Sequence, residues 1–231
     1  MKRVKNVIFN KFSIDLEDSI SSQTVEQHLS KHVYTDKAGF GFNSIIESDN
    51  EISASLLKRS PTYVQDYNAV TNEIEKKQIF LFISISFNIN FEQKILTVYG
   101  SLSNLNILKS VFRNIFDFNY QIELISLNLY SFTEKLYKKD TKYTLQQISI
   151  KGFNYDNGMI GRFTGDVTKQ STGLEIINNY KLDIVKITFS IEIDNEDSIK
   201  IQVFPNGSIK FVSDEDNYIF YLNYIKTLIF D

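Results

Sequence analysis

The stretch that decides the fold is Ile-Phe-Leu-Phe-Ile-Ser-Ile-Ser-Phe-Asn-Ile-Asn-Phe, residues 79–91. Every odd position is apolar, whereas the even positions change from phenylalanine to serine and asparagine. A period of two is typical of a β-strand that buries one face and turns the other toward water. The stretch therefore predicts a central strand with a polar second face.

The residues that follow predict a returning strand and then a helix. Glu92-Gln93-Lys94 has the character of a turn, and residues 95–99 form a short apolar strand that stops at Gly100. Beyond it the apolar period changes to that of a helix that begins at Ser101 or Ser103. The apolar stripe consists of Leu105, Leu108, Val111, Phe112, Ile115 and Phe116. The unit is a hairpin followed by a helix.

The same reasoning predicts elements on both sides of this unit. Toward the N-terminus we expect a strand at 4–15, a helix at 22–32, a hairpin at 43–57 that turns at 48–51, and a polar loop at 58–68. Toward the C-terminus we expect a strand at 120–132, a charged connection at 133–140, a strand at 142–151 with a bulge at 146–147, a glycine-rich loop at 152–166, a helix at 171–182, strands within 185–211, and a final helix capped by Ser213.

Together these elements predict an α+β fold with antiparallel sheet and helices packed on one face. Strand, turn, strand and helix at 83–116 recur at 187–230, which fits either a duplicated hairpin–helix unit or a common α+β arrangement. Residues 1–70 form an N-terminal strand, helix and hairpin segment, and residues 71–231 the main sheet domain. We expect the two to make one compact unit.

Composition excludes several classes of protein. The chain is 42% hydrophobic and contains no cysteine, which excludes disulfides, thiolate nucleophiles and Cys-based zinc sites. No apolar run reaches the roughly 20 residues of a membrane span, so we expect a cytoplasmic protein without a membrane partner. A net charge of −3 argues against a globally basic nucleic-acid binder. The residue usage suggests a low-GC genome.

Candidate catalytic residues are sparse. Glu92 and Lys94 follow a strand, and with Asp66 they could form a metal-dependent nuclease site that holds Mg²⁺. Glu92-Gln93-Lys94 is equally well a charged hairpin turn. His28 and His32 have the four-residue spacing of helical metal ligands, but solvated helix surface explains them better. We expect no resident metal and no cofactor, except Mg²⁺ if the nuclease interpretation holds.

Candidate binding residues fall into three groups. Gly158, Gly161 and Arg162 belong to a glycine-rich segment that could wrap an anion, although its spacing matches no phosphate loop. The second group interleaves cations with aromatics, as nucleic-acid surfaces do, and consists of Lys58, Arg59, Tyr63 and Tyr67. The third lies on the polar sheet face and consists of Lys186, Lys200 and Lys210, together with uncharged residues such as Ser84, Ser86, Asn88 and Thr188.

The sequence favours a non-catalytic binding or assembly module. Its partners would be another protein, a second copy of itself, or nucleic acid held by the lysines and arginine named above. A nucleic-acid-associated accessory component of a bacterial or phage defence-type system would suit the composition. The alternatives are a divergent metal-dependent nuclease and a purely structural homo-oligomer.

Overall fold

The computed structural model describes residues 3–14, 21–117, 119–138, 141–156, 158–194 and 197–230. The strands of these residues are β1 (Arg3–Ile14), β2 (Phe40–Ser48), β3 (Glu51–Asn68), β4 (Glu73–Asn90), β5 (Ile95–Tyr99), β6 (Tyr120–Leu124), β7 (Tyr143–Asp156), β8 (Met159–Asp166), β9 (Ile184–Asp194), β10 (Asp197–Val203) and β11 (Ser208–Ser213). The helices are α1 (Ser22–Ser30), α2 (Leu102–Ile115), α3 (Leu129–Lys138), α4 (Gln170–Asn179) and α5 (Tyr218–Phe230). The α+β class with antiparallel sheet is confirmed.

The chain divides into two compact units. One, here the N-terminal unit, is Asn10–Glu123, and the other, here the C-terminal unit, combines Met1–Phe9 with Leu124–Asp231. Strand β1 contributes residues to both. The domain boundary predicted near residue 70 lies in the turn between β3 and β4, within the N-terminal unit.

The N-terminal unit places β2, β3, β4 and β5 side by side in antiparallel order. Its core contains a cluster of aromatic rings. Phe112 on α2 contacts three rings on the strands, those of Phe12, Phe42 and Phe87, with centroid separations of 6.3, 6.2 and 5.6 Å. The stripe predicted for α2 is the buried one, and Ser101 caps that helix through a capping box with Asn104. Helix α2 therefore packs against the sheet at Phe42 and Phe87.

The C-terminal unit contains an antiparallel sheet in the order β1, β11, β10, β9, β7, β8. Ile187 and Phe189 on β9 are fully buried, as their alternation predicts. The ladder between β7 and β9 shifts register between Leu145 and Gln147, which confirms the bulge predicted there. The hairpin–helix segment of this unit contains one strand, β11, that has no counterpart between β5 and α2.

Several predicted elements differ from those observed. Residues 58–68 continue β3 instead of forming a loop, because their pairing with β4 is unbroken to Asn68. The strand predicted at 120–132 ends at Leu124. Residues 133–138 of the predicted charged connection belong to α3, whose apolar residues Leu129, Phe132 and Leu136 follow helical spacing, and residues 139 and 140 lie outside the described residues. The final helix begins at Tyr218, and the cap comes from Asp214, whose Oδ1 accepts the N–H of Asn217 at 3.0 Å.

One glycine in the N-terminal unit is required by a close approach of backbone. Residues 32–34 run beside the start of β2, where Phe42 donates its N–H to the carbonyl of His32 at 2.8 Å and Val33 forms a parallel bridge with Phe42. A Cβ at position 41 would collide with the backbone nitrogen and Cα of Tyr34. Because backbone atoms cannot rotate away, only glycine fits.

Gly41→Ala should lower the free energy of unfolding by about 2–3 kcal/mol, because residues 32–34 must move off β2 to admit the methyl group. Gly39→Ala is the control. That position has φ +70° but nothing within 4 Å of an added Cβ, so the cost should be about 1 kcal/mol. Urea denaturation measures both, and equal destabilisation would contradict the close approach.

Candidate functional site

The most unusual feature of the N-terminal unit is the length of its β3–β4 hairpin. Each strand has 18 residues and the register is continuous from Glu51↔Asn90 to Asn68↔Glu73. The neighbours are much shorter: β2 pairs with β3 only up to Lys58, and β5 pairs with β4 only from Ser86. Within the described residues, no third strand pairs with the part between them. Arg59–Phe82 is therefore a two-stranded ribbon, here called the arm, and each of its strands is roughly 33 Å long.

The arm exposes a contiguous set of large apolar side chains. A single exposed apolar residue is ordinary, but a contiguous set marks an interaction surface. Ile74 is 69% exposed and Phe82 55%, although both lie within a regular ladder. The large exposed apolar residues of the arm are Tyr63, Val64, Tyr67, Val70, Ile74, Phe80, Leu81 and Phe82.

The register sorts these side chains onto two faces. One face continues the core side of the sheet, which Leu56 and Ile85 occupy further down, and carries Leu81 and Ile79. The other face continues the polar side of the sheet. Its cross-strand pairs are Arg59↔Phe82, Pro61↔Phe80, Tyr63↔Gln78, Gln65↔Lys76 and Tyr67↔Ile74. A polar sheet surface thus becomes an aromatic one along the arm.

Arg59 fixes the base of the arm. Its guanidinium donates to the Oδ1 of Asp36 at 3.3 Å and to the carbonyl of Asp36 at 2.7 Å. The same group lies 4.4 Å from the ring centroid of Phe80, within cation–π range. The Arg59 N–H also donates to the carbonyl of Gly39 at 2.7 Å. These contacts attach the arm to the loop before β2.

Three of the charged groups on the rest of the arm have partners within the arm. Lys77 forms an ion pair with Asp66 at 3.4 Å, and Glu75 accepts a hydrogen bond from Asn68 at 2.8 Å. At the turn, Tyr67 donates its hydroxyl to the side chain of Asn72. The arm contains three cations (Arg59, Lys76, Lys77) and three anions (Asp66, Glu73, Glu75), so its formal charge is zero.

The residues predicted for a nuclease site are not brought together. Asp66 lies opposite Glu75 near the tip of the arm, whereas Glu92 and Lys94 lie in the β4–β5 turn, beyond the pair Glu51↔Asn90. Fifteen ladder steps separate Asp66 from Glu51, which is roughly 50 Å along the strand. Three carboxylates or histidines able to share a metal are also absent from the described ranges. The grouping of Asp66, Glu92 and Lys94 into one site was therefore wrong.

The predicted anion loop is a hairpin. Gly161 and Arg162 lie in β8, where Gly161 pairs with Phe153 of β7, and Gly158 lies in the turn with φ +128°. Backbone groups that bond a neighbouring strand are not free to converge on an anion. The glycine-rich segment was misinterpreted because its glycines serve a tight turn and a strand, not an open loop.

The lysines predicted to bind partners lie in both units. Lys58 is on the opposite face of β3 from Arg59, so the predicted cation–aromatic cluster is split. In the C-terminal unit, the register places Lys186, Lys200 and Lys210 on one face of the sheet. Lys200 and Lys210 are exposed, and Lys186 is half-buried and donates to the Oε1 of Gln147 at 2.5 Å.

The polar face is only partly open to solvent. Ser84 and Ser86 are exposed, as predicted, but Asn88 and Thr188 are buried. Asn88 donates to Glu51 at 3.0 Å and to Ser53 at 3.2 Å, so it serves the cohesion of β3 and β4. The prediction that these two residues face solvent was wrong.

The two histidines have a structural setting. The His28 Nε2 lies 2.6 Å from the carbonyl of Ile115 at the end of α2, and its ring stacks on Phe116 at 5.0 Å. The His32 ring lies 5.7 Å from that of His28. Burial, and then the charges of His28 and Lys31, lower the pKa of His32 from its ordinary value. Through its contact with Ile115, His28 links α1 to the end of α2.

A pocket of about 310 Å³ lies in the C-terminal unit. Its rim includes Tyr130, whose hydroxyl donates to Glu134 at 2.9 Å and whose ring lies 4.2 Å from the ammonium of Lys181. Burial, followed by the proximity of Tyr137, raises the pKa of Tyr143. The volume is at the lower limit for small-molecule sites. The lining residues are Tyr130, Thr133, Glu134, Tyr137, Lys138, Tyr143, Leu174, Ile177 and Asn178.

The chain matches no protein-family model and no curated protein. Among the described residues, no helix has the length and apolarity that crossing a membrane would take. The arm, with its open edges and exposed aromatics, is therefore the candidate site on geometry alone.

The Arg59 contacts can be tested by removing the charge. Arg59→Gln should lower the free energy of unfolding by about 1–2 kcal/mol, because a charged hydrogen bond and a cation–π contact are lost together. Hydrogen exchange at the base of the arm should accelerate. Lys77→Gln removes an exposed ion pair and should cost about 0–1 kcal/mol. Equal exchange rates in Arg59→Gln and the parent protein would contradict the role of Arg59.

The pKa of His32 predicts a pH dependence. Because folding lowers this pKa, the unfolded chain binds more protons, and the free energy of unfolding should decline as the pH falls below the ordinary histidine value of about 6.5. His32→Gln should make that decline shallower. Denaturant titrations at several pH values between about 5 and 8 measure it, and an unchanged slope would contradict the assignment to His32.

Proposed function

We propose that the protein is a non-catalytic assembly module that joins protein subunits through the arm. The observation that supports this is the ribbon Arg59–Phe82, which beyond the Arg59–Gly39 hydrogen bond pairs with no third strand of the described chain and exposes apolar side chains on both faces. A two-stranded ribbon is marginally stable by itself and gains from a further strand or an apolar surface. Docking onto a protein would supply both.

Charge favours a protein as the partner over nucleic acid. Phosphate backbones are held by unpaired lysine and arginine side chains, each of which releases counterions on binding. The arm has no net charge; Arg59 is bound to Asp36 and Lys77 is paired with Asp66. Its exposed rings, Tyr63, Tyr67 and Phe80, are of the types enriched at protein interfaces.

Nucleic acid remains the second candidate, for a different surface. Lys186, Lys200 and Lys210 share one sheet face of the C-terminal unit, and two of the three are exposed. This proposal includes the prediction that the helices of each unit pack on one face of its sheet and leave the polar face for binding. The setting, a cytoplasmic accessory component of a bacterial or phage defence-type system, rests on composition alone. The nuclease alternative has no assembled site to support it.

Shortening the arm tests the function. Residues 63–78 are replaced by Asn-Gly, which closes the hairpin after the cross-strand pair Thr62↔Ile79 with a favoured two-residue turn. The shortened protein should keep its melting temperature within about 3 °C, because the removed residues lie outside the core, and should lose the larger assemblies. Lysine-reactive crosslinking in cells, followed by mass spectrometry, should place intersubunit crosslinks of the parent protein on Lys76 and Lys77.

The control for the loss of exposed apolar side chains is a pair of substitutions at the tip of the β7–β8 hairpin. Met159 and Ile160 are 68% and 77% exposed, and Met159→Ser with Ile160→Ser should leave assembly unchanged. Identical assembly masses for the parent and the arm-shortened protein would contradict the proposal. Retention of nucleic acid by Lys200 and Lys210, steeply weakened by salt and independent of the arm, would favour the second candidate.

A further inference from the structure

The two edges of the arm differ in their capacity to accept another strand. In an antiparallel ladder, residues alternate between pointing their N–H and C=O at the partner strand and away from it. Arg59 donates its N–H to the carbonyl of Gly39, on the side away from β4. The backbone N–H and C=O groups of Arg59, and those of its cross-strand partner Phe82, therefore point out of the ribbon. By the period of two, the outward residues of β4 are Ile74, Lys76, Gln78, Phe80 and Phe82.

The β3 edge is interrupted. Pro61 is the first outward residue beyond Arg59, and proline has no N–H to donate to a neighbouring strand. The outward residues of β4 include no proline, and the described chain provides no strand that pairs with them. Where β5 ends, continuation of its register places Ser101 level with Ser84, so the open edge of β4 runs from Ile74 to Phe82.

From this edge, and resting on the arm as the assembly element, we infer that the partner is a second copy of the chain. The two β4 edges pair antiparallel about a two-fold axis at Gln78. Gln78 lies at the middle of the open edge, so this register gives complete overlap, with Ile74 opposite the partner's Phe82. Five outward residues on each strand give about ten main-chain hydrogen bonds. Two ribbons become one four-stranded antiparallel sheet.

The side chains suit this register. Lys76 lies opposite a phenylalanine, the partner's Phe80, and Lys77 opposite the partner's Ile79; Glu75 lies opposite the partner's Leu81. No two like charges are directly opposed, whereas an axis at Lys76 or Lys77 would oppose two lysines. Lys77 and Glu75 keep their own contacts to Asp66 and Asn68. The shared sheet also makes the aromatic surfaces of the two arms continuous.

A matched pair of proline variants tests the edge. Gln78→Pro removes one outward N–H of β4, and Gln65→Pro removes one outward N–H of β3; neither N–H belongs to the β3–β4 ladder. Both side chains are exposed glutamines. In sedimentation velocity over a concentration series, the parent protein should dimerise. Gln78→Pro should raise the dimer dissociation constant at least about tenfold, and Gln65→Pro less than about threefold.

The absence of native cysteine allows a second test that does not depend on proline. A two-fold axis at Gln78 brings the two Cα atoms of that residue to about 5.5 Å, which suits a disulfide. Gln78→Cys should form a covalent dimer under mild oxidation, and Gln65→Cys, on the other edge, should stay largely monomeric.

Each outcome decides the inference. Two-fold strand pairing at micromolar affinity predicts a dimer at about 100 μM, so a parent protein that stays monomeric at that concentration would overturn the inference. It would also be overturned by a Gln78→Pro protein that dimerises like the parent, or by equal yields of covalent dimer from the two cysteine variants. If the parent is monomeric but shortening the arm still removes a larger complex with another protein, self-pairing fails and the proposed function stands. If shortening the arm changes nothing, both fail.

Discussion

The structure of the N-terminal unit depends on one constraint, the unbroken register between β3 and β4. Eighteen consecutive cross-strand pairs carry two different environments, a buried one around Phe87 and an exposed one around Tyr63. A slip of one residue between them would move the core-facing side chains of one strand to the opposite face of the sheet. Burial of Leu56 and Ile85 therefore sets the register of the whole hairpin, including the part that has no core of its own.

The arm takes its order from its base. Cross-strand pairs contribute only about 0.2–1 kcal/mol each, too little for a free ribbon to be secure. Next to the base of the arm, the rings of Phe42, Phe87 and Phe112 pack together with centroid separations of 5.6–6.2 Å. The contact between Arg59 and Asp36 holds the first cross-strand pair of the arm in place. For the proposed assembly this matters, because a hairpin that is already aligned leaves little ordering entropy to oppose binding.

The sequence predicted those elements whose periodicity reflects burial. The alternation of Ile85 to Ile89 and the helical stripe on α2 were sufficient, since the apolar positions of both elements are buried in the core. The same logic failed for the arm. Residues 58–68 look like a polar loop because neither face is buried in the monomer, so the hydrophobic signal that identifies strands is missing. Tyr63 and Tyr67, singled out for aromatic character, do lie on one face, but the split of Lys58 from Arg59 required the register.

The edges of both units show how selectively strand pairing is prevented. Strand β2 is covered by residues 32–34 and carries a register shift between Asn43 and Ile46, and β8 is irregular at two places along its pairing with β7. Bulges, covering segments and prolines are the devices that keep sheet edges from joining. The β3 edge of the arm has such a device in Pro61. The β4 edge between Ile74 and Phe82 has no bulge, covering segment or proline among its outward residues; its one charged outward residue is Lys76, and the edge is regular and carries exposed phenylalanines. The inferred pairing of two β4 strands rests on this contrast with the β2, β8 and β3 edges.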